Sequence, residues 1–157
     1  MSRTKVDLIA FAVTSILSAL FFLVVYMLTF TYRGAGHGVS GNGNPAILFV
    51  FPAVPVYLVA VIFTYRISRR FADHARYRRE AGFALLILVV LCGLGENAFV
   101  ARLIRHLGGG PDNPDSVIYR FGWLNPYTNT LYFNAYTFLF GLSLAALTAL
   151  AVSGSRR

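Results

Sequence analysis

Residues Leu8–Tyr32 read LIAFAVTSILSALFFLVVYMLTFTY, 25 positions without a charge. An α-helix rises about 1.5 Å per residue and a bilayer core is about 30 Å thick, so roughly 20 apolar residues cross it. The stretch is long enough to span. Arg3 and Lys5 precede it, as in a signal peptide, but a signal's apolar region is only about 7–15 residues and ends at a small-residue cleavage site. This one runs on into Phe30-Thr31-Tyr32-Arg33, which reads as a retained helix.

Three further stretches have the same character. Ala46–Tyr65 gives 20 uncharged residues, and Leu131–Val152 gives 22. Ala81–Gly95 gives 15 before Glu96 interrupts, and apolar residues resume at Ala98–Ala101. None shows the alternation of a barrel strand, and backbone groups in lipid must be satisfied within the segment, so all four are expected to be helices. The whole composition agrees. Of 157 residues, 57% are hydrophobic and 13% charged, with a mean hydropathy of +0.62. A soluble domain carries about 25% charge, so a cytosolic enzyme, a disordered tail and a nucleic-acid-binding domain are all disfavoured.

The expected fold is an all-α, polytopic membrane protein: a single four-transmembrane-helix bundle with helices near 7–32, 46–69, 79–106 and 128–153. External loops would cover 33–45 and 107–127, and a cytoplasmic connection 70–78. Charge placement sets the orientation. Arg3, Lys5, Arg66, Arg69, Arg70, Arg76, Arg78, Arg79, Arg156 and Arg157 fall on one side, against Arg33, Arg102, Arg105 and Arg120 on the other. The positive-inside rule then puts both termini in the cytoplasm, and an even number of helices agrees. The general build suits a bacterial cytoplasmic membrane.

The connections differ. Residues 33–44 contain five glycines and no large apolar side chain, as in an external loop. Residues 66–80 lack Gly and Pro, and Asp73 stands at helical spacing from Arg69 and Arg76, as does Glu80 from Arg76. After Gly108-Gly109-Gly110-Pro111, an apolar and aromatic segment around Asp115–Leu124 reads as a short external interfacial element before the last helix.

Polar residues inside the spans lie toward the outside. Glu96 is the acid that interrupts the third span, about 22 Å beyond Ala81, and a charge there costs a few kcal/mol unless paired or hydrated (about 2.5–3.5 at the centre of a helix). No base stands at i+3 or i+4 from it, so Arg33 and Arg120 are the candidate partners. Thr130, Asn134 and Thr137 follow i, i+4, i+7 spacing and are expected on one helix face. The candidate polar cluster is Glu96, Asn97, Arg102, Asn129, Asn134 and Tyr136, read either as a docking patch or as hydrogen bonds that fix helix register. Small residues at four-residue spacing (Ala10, Thr14, Ser18; Gly141, Ala145, Ala149) suit close helix packing.

Motifs of enzymes are missing from the sequence. No GxxxxGK[ST], no GxSxG and no CxxC pair occurs, and His37, His74 and His106 are scattered. No metal, cofactor or nucleic acid is expected. The expected partners are membrane lipids and a membrane protein or a second copy of the chain. The expected role is a non-enzymatic accessory or regulatory subunit acting through an outer-leaflet polar face. The alternative is a small transporter or channel using Glu96 for proton- or cation-coupled binding.

Overall fold

The computed structural model describes residues 3–34, 37, 43–72 and 77–154. The described residues form helices and loops without strands: α1 (Arg3–Leu28), α2 (Ile47–Ala72), α3 (Arg78–His106), α4 (Val117–Phe121) and α5 (Ala135–Gly154), with a 3₁₀ turn at Asn129–Leu131. α1, α2, α3 and the Asn129–Ser153 segment are each long and apolar enough to cross a membrane. The exterior matches: Met27, Leu48, Phe51 and Phe83 are each more than two-thirds exposed, a load that water-soluble surfaces do not carry in contiguous patches.

The helices pack in the order α1–α2–α5–α3. Asp7 near the start of α1 meets Arg66 and Arg70 near the end of α2, so those two are antiparallel. Gly95 meets Tyr136 while Arg78 meets Leu150, so α3 and α5 are antiparallel as well. Asn44 and Asn129, just ahead of α2 and α5, pair with each other, which sets those helices in the same direction. One end therefore gathers Arg3, Lys5, Arg66, Arg69, Arg70, Arg78 and Arg79, and the other Arg33, Arg102, Arg105 and Arg120.

Two clusters hold the bundle. Phe22 and Val25 of α1 meet Ala53 of α2 and Phe133 ahead of α5, with Tyr57 and Phe138 packed against them. The Phe22 ring stands edge-on to Phe133 and Phe138, at centroid distances of 5.1 and 5.3 Å, a geometry favoured by the ring quadrupole. Nearer the end that holds Arg33, Arg102, Arg105 and Arg120, a second cluster is formed by Tyr32, Leu107, Val117, Ile118 and Tyr127. Through it α4 caps α1 and α3 with Val117 and Ile118, while Tyr119, Phe121, Trp123 and Leu124 stay exposed. α3 is peripheral: 6% of its most apolar window is buried, against 17% in each other span.

Three helix ends differ from the sequence expectation by four residues or more. α1 ends at Leu28, not 32, and it starts at Arg3, not 7. Past its end the Thr29 hydroxyl donates to the Val25 carbonyl, and the Phe30 N–H leaves the helix to bond the Pro126 carbonyl at 2.9 Å. The last helix starts at Ala135 and not at 128, because Asn134 caps it. Asn134 Oδ1 accepts the N–H groups of Tyr136 and Thr137, and Thr137 Oγ1 accepts the Asn134 N–H in return. That reciprocal arrangement is a capping box. Thr130 and Thr137 thus do not share a helix face with Asn134; Thr130 belongs to the preceding 3₁₀ turn. The expected pairings of Asp73 and of Glu80 with Arg76 lie outside the described residues.

Candidate functional site

α1 and α3 stand on opposite sides of a groove, and its floor is the N-terminal part of α5 with the segment before it. Ala19, Phe22, Leu23 and Tyr26 line one wall, Phe99 the other, and Phe133 to Tyr136 with Phe138 the floor; the cavity measures about 380 Å³. Tyr26 and Phe99 also line a second cavity of about 340 Å³, which continues past Thr29, Leu103 and His106 toward the C-terminal end of α3. The two form one groove from that end into the bundle.

Glu96 lines neither cavity but precedes Phe99 by three residues and Leu103 by seven on the same helix. It sits 18 residues past Arg78, about 27 Å along the helix, and 10 residues before His106, about 15 Å from the helix's C-terminal end. The carboxyl is partly buried and has the Asn134 side chain beside it. Glu96 Oε2 has no hydrogen-bond partner among the described residues, and no base there lies within ion-pair distance. Among the described residues neither sequence candidate reaches it: Arg120 pairs with Asp115 at 3.5 Å, and Arg33 has no ion pair with a described acid. The carboxyl faces the capped end of α5, where the first N–H groups and the helix dipole favour negative charge.

Of the six candidate residues, the structure brings three together. Asn134 caps α5 and stands beside Glu96. Tyr136 lies across the next residue, Gly95, so closely that a Cβ there would overlap its ring, and its ring centroid is 6.3 Å from that of Phe99. Asn97 and Arg102 are exposed, at other angles on α3. Asn129 belongs to a separate structural pair: its amide and that of Asn44 exchange hydrogen bonds of 2.8 and 3.0 Å. The remaining polar residues of this region hold the backbone. Asn125 Oδ1 accepts the Tyr127 N–H, Thr128 Oγ1 donates to Trp123, and Ser116 caps α4. Buried backbone polar groups must find partners inside the protein, and these side chains supply them.

Sequence reasoning missed Asp7, Gly95 and the groove walls. Asp7 stands just ahead of the first apolar run, so a search for acids within runs passes it by. An i, i+4 pair of arginines at the same membrane level, Arg66 and Arg70, was the available signal. Among the described residues no group of three His, Cys, Asp or Glu is placed to hold a metal. Comparison with family models, curated proteins and solved structures finds no match for the chain.

Proposed function

We propose that the protein is a non-enzymatic accessory or regulatory subunit of a bacterial cytoplasmic membrane, with both termini in the cytoplasm. Its groove between α1 and α3 receives a transmembrane helix of a partner protein. One observation carries this reading: Glu96, three residues before the groove-wall residue Phe99 on α3 and beside the Asn134 side chain of the groove floor, has no ion pair among the described residues. An acid at this depth is expensive unless paired, and a helix seated in the groove would pass close to it. The complementary partner carries a Lys, Arg or hydrogen-bond donor in the outer third of its span.

Wild-type protein and a Glu96→Ala variant, purified from native membranes in mild detergent, test it. A companion with such a residue, present in fixed ratio with wild type and lost with Glu96→Ala, supports the reading. Recovery of the chain alone, or a companion indifferent to Glu96, refutes it. For orientation, a reporter after Arg157 reads cytoplasm and one within 33–45 reads outside; the opposite result reverses the map. Ion coupling through Glu96 has less support, because inward of Asn134 the space between α1, α2 and α5 is filled by Phe22, Val25, Ala53 and Phe138.

A further inference from the structure

The Arg-rich end carries two basic pairs with different surroundings. Arg66 and Arg70 of α2 are answered within the protein by Asp7, which is 4% exposed and lies 3.2 and 2.6 Å from them. Arg78 and Arg79 open α3, and no carboxylate among the described residues lies within ion-pair distance of either. Glu80, the nearest acid in sequence, is exposed and is not among the residues around the pair's cavity. That cavity, of about 350 Å³, lies between α3 and α5 and is lined by Arg78, Arg79, Gly82, Leu147, Leu150 and Ala151. Arg78 donates to the Leu150 carbonyl, which holds the guanidinium at the cavity wall and leaves its other N–H groups unused by that contact. Gly82 leaves its side free, with open space where a Cβ would stand.

We infer that this cavity binds the headgroup phosphate of an anionic phospholipid, with the first part of an acyl chain lying over Gly82 and Leu147. The chemistry is that of a basic pocket between membrane helices at the headgroup layer. Arginine's planar fork suits phosphate oxygens. The apolar walls on the α5 side distinguish a lipid from a free phosphate, which gains nothing from Leu147 and Ala151. The site is at the opposite end from the outer groove and does not rest on the partner-docking reading.

The test is native mass spectrometry of the detergent-purified full chain, incubated with phosphatidylglycerol or with phosphatidylcholine. Wild type retains phosphatidylglycerol preferentially, by roughly fivefold for each arginine. Arg78→Gln/Arg79→Gln loses the preference and Arg105→Gln, at the other end, keeps it. Should the double variant not fold, Arg79→Gln alone preserves the Arg78–Leu150 contact, and Gly82→Leu fills the cavity without changing charge; both are expected to lower retention. Equal retention of the two lipids by wild type overturns the proposal, as does an undiminished preference in the folded variants. Displacement of the lipid by millimolar inorganic phosphate also counts against it, since it would show a site for free anions.

Discussion

Asp7 of α1 reaches Arg70 of α2 at 2.6 Å, with Arg66 at 3.2 Å on its other oxygen. The carboxylate is buried and both arginines are partly exposed. Three charges thus join the start of α1 to the end of α2, where apolar packing alone gives little specificity because lipid is as apolar as the helices. Asp7→Asn is expected to cost about 1–2 kcal/mol, less than the 3–5 of a fully buried pair, because the arginines left behind regain water. Unfolding in mixed micelles measures this. A double cycle with Arg70→Gln shows coupling, and additive losses would mean the pair does not act.

At Gly95 a side chain has no space. A Cβ there overlaps the Tyr136 ring, so Gly95→Val forces α3 off α5 at a cost of about 1–3 kcal/mol. Tyr136→Ala in the same chain is expected to restore part of the loss. A melting temperature that is low in the single variant and partly recovered in the double variant checks the contact.

Gly141 receives Tyr57 in the same manner. The Tyr57 hydroxyl lies over Gly141 and donates to the Phe138 carbonyl at 2.8 Å. Gly141→Ala is expected to destabilise the α2–α5 contact, and Tyr57→Phe, which removes the overlapping oxygen, to relieve it. Coupling of about 0.5–3 kcal/mol is typical of residues in contact; its absence from the thermal cycle would contradict the close approach.

Asn134 caps α5 through Tyr136 and Thr137. Asn134→Ala is expected to cost about 1 kcal/mol and to speed amide exchange at Tyr136 and Thr137, with little change near Ala149. Unchanged exchange at both positions would show that the cap does not hold the helix start.

The four spans were legible because each is a long run without charge, and lipid imposes that pattern directly on sequence. The end of α1 and the start of α5 were less so. Thr29, Asn125, Thr128 and Asn134 each bond nearby backbone, and their short side chains compete with helix formation. That is why α1 stops at Leu28 and α5 waits until Ala135. Glu96, Asn134 and Tyr136 do come together, while Asn97 and Arg102 point elsewhere on α3 and Asn129 pairs with Asn44. Spacing along one helix could not show this, because the contacts join α3 to α5 and depend on where α5 begins.

Site-specific photo-cross-linking in native membranes tests the docking groove most directly. A photoreactive residue replaces Phe99, on the groove wall, or Leu94, which is 63% exposed and lies round the far side of α3, about 7.5 Å along the helix from Phe99. The account predicts a discrete protein adduct from position 99 that is missing from position 94 and lost when Glu96→Ala is added. Equal adducts from both positions, or lipid adducts alone from position 99, would contradict it.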